Sequence, residues 1–188
     1  MTTSVEKTID AHIDVMKAIR PMAPAIKAMA STLTQSIHEG HKVLFVGNGG
    51  SAADAQHLAA EIVGRFEKER RGLPAIALTT DSSTLTSIAN DYGFESIFSR
   101  QVEALGQQGD GLVAISTSGN SPNIAQAVEA AKAKGLITIG LLGKTGGKLR
   151  ELVDHALVIP SDNTARIQEA HILIGHILCQ LIEESLFS

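Results

Sequence analysis

The stretch Val43-Leu44-Phe45-Val46-Gly47-Asn48-Gly49-Gly50-Ser51-Ala52-Ala53-Asp54-Ala55-Gln56-His57-Leu58-Ala59-Ala60-Glu61 runs from an apolar strand through a glycine turn into a helical pattern. A short, wholly apolar run closed by a turn reads as a strand buried on both faces. Ser51, with Asp54 three residues later, has the spacing of a capping box, which puts the helix start at Ser51. The unpaired backbone N–H groups of such a start, with the helix dipole behind them, attract phosphate. His57 and Glu61 stand four residues apart, so the imidazole and the carboxylate share a helix face. Alone, such a pair is an ordinary, weak surface contact. Its place behind an anion-type turn singles it out.

The alternation continues beyond this stretch. Apolar runs at Ala75–Thr79, Leu112–Ser116, Ile137–Leu142 and Ala156–Ile159 read as further strands. Helices fall between them near Ala52–Phe66, Ser83–Ala89, Ile97–Leu105 and Asn123–Lys134, and Gly146-Gly147-Lys148-Leu149 opens a shorter one. Strands this apolar, separated by helices, belong to a parallel sheet covered on both faces, an α/β fold. Ahead of the sheet, residues from about Val5 to Glu39 read as two helices around Pro21 and Pro24. Ile9, Ile13, Met16 and Ile19 recur at helical spacing, as do Ile26, Met29, Leu33 and Ile37, and Gly40 ends the second helix. The last element, about Thr164 to Leu186, is a helix apolar nearly all round, to be buried against the sheet or in a subunit interface. With no repeat, low-complexity tract or linker, residues 1–188 form one domain: helices over 1–39, then an α/β core over 40–188.

Composition narrows the function. The 188 residues are 44% hydrophobic, enough for a real core. A net charge of -4 argues against nucleic-acid binding by bulk electrostatics, and 3% aromatics with no Trp leaves no platform for stacking bases. The densest basic run, Lys68-Glu69-Arg70-Arg71, is interrupted by an acid and reads as a solvated helix end. The single Cys179 lies in an apolar helical run and reads as a small core residue without a disulfide. The polar start Met1-Thr2-Thr3-Ser4-Val5-Glu6-Lys7 has no signal-peptide core and no segment is long and apolar enough to span a membrane, so a cytoplasmic location is expected.

In open α/β sheets ligands bind beyond the carboxyl ends of the strands. The third strand ends in Ser116-Thr117-Ser118-Gly119-Asn120-Ser121-Pro122 and enters a helix directly. Its hydroxyls, its glycine and the helix start can wrap a phosphate or a polyhydroxyl group. Such clusters are also plain turns, but the position at a strand's carboxyl end favours a site. Two nucleotide motifs fail. Gly47-Asn48-Gly49-Gly50-Ser51-Ala52 fits G-x-G-x-x-A, but no acidic residue closes the second strand, and Asp81 comes later. Gly143-Lys144-Thr145 resembles the end of a Walker A loop, but Thr138 stands where its first glycine belongs. In the final helix, Gln168, His171 and His176 interrupt the apolar pattern and need partners. Spacing does not choose between the two histidines, yet His57, Glu61 and a distant Gln/His pair form a donor set suited to zinc.

Taken in order, Asn48-Gly49-Gly50-Ser51, His57-x-x-x-Glu61, Asn90-Asp91, Ser116-Thr117-Ser118-Gly119-Asn120-Ser121 and Arg166-Ile167-Gln168-Glu169 closely resemble the phosphoheptose isomerases, bacterial enzymes of the sugar-isomerase (SIS) domain superfamily. The resemblance covers nearly the whole chain. It implies a single SIS domain, a five-stranded parallel sheet in a flavodoxin-like three-layer arrangement, with the N-terminal helices packing in the oligomer. It also implies conversion of D-sedoheptulose 7-phosphate to D-glycero-D-manno-heptose 7-phosphate, the first step toward the ADP-heptose of lipopolysaccharide cores.

By the same resemblance, Ser116, Thr117, Ser118 and Ser121 hold the phosphate. Asn48, Gly49, Gly50, Asn90, Asp91, Glu61 and Gln168 contact the substrate. His57, Glu61, Gln168 and His176 ligate one zinc per subunit, and Glu61 with His176 form the acid–base pair. Arg65, one turn after Glu61, reaches either the sugar or solvent. The implied assembly is a homotetramer, with no nucleic-acid or membrane partner. Two rivals remain. One is a non-enzymatic SIS relative that binds the replication initiator, keeps the phosphosugar loops and lacks the counterparts of Glu61 and His176. The other is an isomerase or regulator for a different phosphosugar, such as a hexose phosphate.

Overall fold

Residues 3–187 are described by a computed structural model. Five strands, β1 (Val43–Gly47), β2 (Ala75–Ala77), β3 (Gly111–Ser116), β4 (Ile137–Gly143) and β5 (His155–Ile159), form one parallel sheet in the order β2-β1-β3-β4-β5. Every neighbouring pair is parallel, and β1 and β3 align Val43 with Gly111 through Gly47 with Ile115. Because strand side chains alternate, each strand feeds two cores. Val43, Phe45, Val113, Ile115, Ile139 and Leu141 face one core, while Leu44, Val46, Leu112, Ala114 and Leu142 face the other.

Helices cover both faces, as a sheet of such apolar strands requires. On the first face lie α2 (Ala23–His38), α3 (Gly50–Val63) and the long α8 (Thr164–Leu186), with α1 (Ser4–Ile19) against α8. On the second lie α4 (Ser82–Tyr92), α5 (Ser99–Leu105), α6 (Pro122–Ala133) and the short α7 (Leu149–Leu152). This is the expected five-stranded, three-layer α/β arrangement with a helical N-terminal extension. Cys179 is buried as expected, and burial pushes its thiol up to about 12. Among the described residues no helix is long and apolar enough to cross a membrane.

α1 departs from the simple amphipathic picture. Ile19 is buried, but Val5, Ile9 and Ile13 are exposed, so much of its apolar stripe faces outward. The helix is nevertheless fixed: His12 Nδ1 lies 2.8 Å from Glu169 Oε2 on α8, and Arg166 donates to the Thr8 carbonyl at 3.0 Å.

Two local expectations are corrected. The capping box at Ser51 does not form. Gly49, at φ +57°, turns the chain early enough that α3 starts at Gly50, with no side-chain cap. Ser51 lies inside the first turn, and the N–H groups of Ser51, Ala52 and Ala53 bond to the carbonyls of Asn48 and Gly49 rather than standing free. A capping box does occur at Thr3 and Glu6. The second correction concerns the basic run. α3 ends at Val63, well before Lys68, and Arg70 is not solvated: its side chain is 2% exposed and ion-paired with Glu183 at 2.7 Å. A charge so deep needs a partner, and Glu183 supplies it from 113 residues away.

Candidate active site

The strand order reverses between β1 and β3, so their following loops diverge and open a crevice at the carboxyl edge of the sheet. The glycine turn after β1 forms one wall and the serine loop after β3 the other. A reciprocal pair joins them. Asn48 Nδ2 donates to Asn123 Oδ1 at 2.9 Å, and Asn123 Nδ2 donates to Asn48 Oδ1 at 2.8 Å. The Asn48 side chain, expected on the substrate, is therefore engaged in holding the two walls together.

The serine loop is organised by its own hydrogen bonds. Ser116 and Ser121 hydroxyls lie 3.1 Å apart, the Gly119 N–H donates to Ser116 Oγ at 3.2 Å, and the Asn120 N–H donates to Ser118 Oγ at 3.1 Å. Gly119 adopts φ +66°, and a Cβ there would collide with the Gly146 carbonyl, so only glycine lets the loop pack against residues 146–147. Ser116, Thr117, Ser118 and Ser121 thus share one loop at the strand's end, with the Ser116 and Ser121 hydroxyls in contact.

On the face covered by α2, α3 and α8, α3 and α8 bring together His57, Glu61 and His176, whose ligand atoms lie within 4.8 Å of one another. His57 Nε2 is 2.9 Å from His176 Nε2 and 3.3 Å from Glu61 Oε1. Two imidazole nitrogens and a carboxylate oxygen so spaced fit zinc. Donors about 2.0 to 2.1 Å from a tetrahedral ion stand roughly 3.4 Å apart, and three protein ligands leave one position for substrate. Close by, Asp54 Oδ2 is buried without a hydrogen-bond partner. Burial raises the Asp54 carboxyl above its ordinary range, against the pull of His57 and His176. Gln168 stands eight residues before His176, about 12 Å along α8, and its amide packs against Gly50 on the glycine-turn side.

The SIS domain family model matches residues 9–143. Phosphoheptose isomerase of Geobacter metallireducens is 54% identical over 188 residues, with both chains covered completely. Phosphoheptose isomerase of Pelobacter propionicus is 59% identical over 169 residues, 90% of this chain and 89% of that one. The structure of a phosphoheptose isomerase from Francisella tularensis superposes with a TM-score of 0.89 at 43% identity, covering 97% of this chain and 100% of that one.

The chain belongs to the phosphoheptose isomerase family.

Against what resemblance to phosphoheptose isomerases implies, the residues divide. His57, Glu61 and His176 converge, and Ser116, Thr117, Ser118 and Ser121 share one loop. Asn90 and Asp91 stand apart, exposed at the last turn of α4, where the Asn90 amide donates to Asp91 at 2.7 Å. Arg65 is exposed and lies 3.7 Å from Glu69. The structure also separates the two histidines of α8. His171 is buried, donates from Nε2 to the Leu142 carbonyl at 3.0 Å and leaves Nδ1 without a partner. Burial lowers it to about 4, so it is a neutral core histidine. Sequence reasoning missed Asn123, Phe66 and Glu183, and read Asp54 as a capping residue and Arg70 as a solvated one. Of those missed, only Glu183 carried a signal: an acid in an apolar helix demands a buried partner.

Proposed function

We propose that the protein interconverts D-sedoheptulose 7-phosphate and D-glycero-D-manno-heptose 7-phosphate through an enediol, as a phosphoheptose isomerase. The observation that carries this is the meeting of Glu61, His57 and His176 within 4.8 Å between α3, which starts at the switch-point glycine turn, and α8. Ser116, Thr117, Ser118 and Ser121 hold the phosphate, while Gly49, Gly50 and Gln168 line the path of the sugar. Asn48 supports that path through its clamp on Asn123. Glu61 takes a proton from C1 of the ketose and returns one at C2, and His176 moves the proton between the two oxygens. His57, Glu61 and His176 would hold one zinc, which when bound would polarise the carbonyl and stabilise the developing oxyanion, while Gln168, packed on Gly50 two turns before His176, serves the sugar rather than the ion.

The exposed apolar stripe of α1 and the exposed Asn90-Asp91 pair support an assembly of several subunits, a homotetramer on the family pattern, with Asn90 and Asp91 contributing to a site beyond their own helix. The product feeds ADP-heptose for lipopolysaccharide cores, in the cytoplasm. A purely binding role, including one on the replication initiator, is disfavoured because Glu61 and His176 are both present and grouped. The deciding experiment is turnover of sedoheptulose 7-phosphate by the purified protein, with and without added zinc and with Glu61→Gln as control. Aldose formation lost in the variant supports the isomerase. Binding of the sugar phosphate without turnover overturns it.

A further inference from the structure

The segment from Gly64 to Pro74 contains no helix or strand, yet it is tied down at several points. Glu183 accepts the N–H groups of Phe66 at 3.0 Å, Glu67 at 2.8 Å and Lys68 at 2.6 Å, as well as Arg70 Nε at 2.7 Å. Arg70 in turn donates to the carbonyls of Glu61 at 2.9 Å, Ile62 at 3.0 Å, Gly64 at 3.2 Å and Arg71 at 3.1 Å. Each charge is thereby paired and saturated with hydrogen bonds, the condition under which a buried ion pair holds one geometry.

Both ends of this network reach the active site. Arg70 grips the backbone of Glu61. Phe66, set by Glu183, stacks on His176 with ring centroids 5.7 Å apart and 29° between planes, while His57 meets the same imidazole at 5.1 Å and 73°. Glu183 follows His176 by seven residues, two turns along the same face of α8. The helix that carries the imidazole therefore also carries the carboxylate that anchors its stacking partner.

We propose that Phe66, held by the buried Arg70–Glu183 pair, is a positioning residue for His176: its ring packs one face of the imidazole and leaves the Nε2 edge to the site. The proposal rests on the role given to His176 above. A flat ring restrains rotation about the imidazole's own axis in a way that an aliphatic side chain of similar size does not.

The test compares Phe66→Leu, which keeps apolar bulk without a flat face, with Phe66→Tyr, which keeps the face. Turnover of sedoheptulose 7-phosphate, zinc affinity by chelator competition and the thermal midpoint are measured for each. In Phe66→Leu kcat should fall about tenfold or more with KM within about twofold, and zinc affinity should fall about tenfold. Phe66→Tyr should restore both. A folded Phe66→Leu with unchanged kcat and unchanged zinc affinity, whatever its midpoint, would make Phe66 a packing residue only and overturn the proposal. If the wild-type protein binds zinc but does not turn over the heptose phosphate, the isomerase reading fails, and the zinc affinities still decide the positioning role. If the wild type does neither, His176 has no role to position and the proposal falls with it.

Discussion

Asn48 and Asn123 exchange two hydrogen bonds across the point where the sheet reverses direction, joining the glycine turn after β1 to the start of α6 behind the serine loop. Asn123 is buried and also accepts the Ile124 N–H at 3.0 Å, so it is the fixed member of the pair. The tie therefore fixes the spacing of the two walls of the crevice.

Removing that tie should loosen binding before chemistry. Asn123→Ala leaves the Asn48 amide without its partner, at a cost of about 1 to 3 kcal/mol in stability. KM for the sugar phosphate should rise about tenfold, with a smaller fall in kcat. Steady-state kinetics and urea unfolding read the two effects, and an unchanged KM would detach the pair from substrate binding.

Glu61→Gln keeps the shape of a partly exposed side chain and removes the proton acceptor. Turnover should drop at least about 100-fold, with the unfolding midpoint close to wild type and sugar-phosphate binding retained by calorimetry. Preserved turnover would remove Glu61 from the acid–base role.

The double replacement Ser118→Ala and Ser121→Ala deletes two hydroxyls from the serine loop, including the one 3.1 Å from Ser116. The expected outcome is a KM raised by about tenfold or more with kcat much less affected. An unaltered KM would move the phosphate elsewhere.

Acid should destabilise the fold in two overlapping stages. Burial holds His171 at about 4, below its ordinary 6.5, so between those values the unfolded chain takes up a proton that the folded chain refuses. Stability is then full above pH 6.5 and falls as pH drops toward 4. Burial pushes Glu183 up, but the N–H groups of Lys68, Phe66 and Glu67 and the Arg70 guanidinium outweigh it and bring the carboxyl down to about 2 from 4.5. Its contribution, about 3 kcal/mol, is complete above pH 4.5 and fades as pH falls toward 2. Urea titrations from pH 7 to 3 check the sequence, and His171→Gln should flatten the first stage alone.

The sheet was legible because β1, β3 and β4 are buried on both faces, which makes their sequences continuously apolar. β2 was overextended at Ala75–Thr79 because only three residues pair at this edge and Ile76 is exposed, so apolar character outlasts the strand. His57 and Glu61 were legible from helical spacing. His176 was not separable from His171 on spacing alone, since the difference lies in what each faces: the Leu142 carbonyl of β4 for one, α3 for the other. Arg70 was misread because its solvated appearance in a charged run says nothing about a partner near the other end of the chain.

α8 carries Gln168 beside the glycine turn and His176 beside Glu61, and an α-helix neither stretches nor bends easily over two turns. On the proposed reading this makes the helix a measuring stick. With the phosphate fixed at one end of the crevice, the reacting carbons of a sugar arrive at Glu61 only if the chain between them has the right number of bonds. Discrimination between a heptose and a shorter sugar then resides in length, not in any single hydroxyl contact, and widening the specificity would require moving a loop rather than exchanging a side chain.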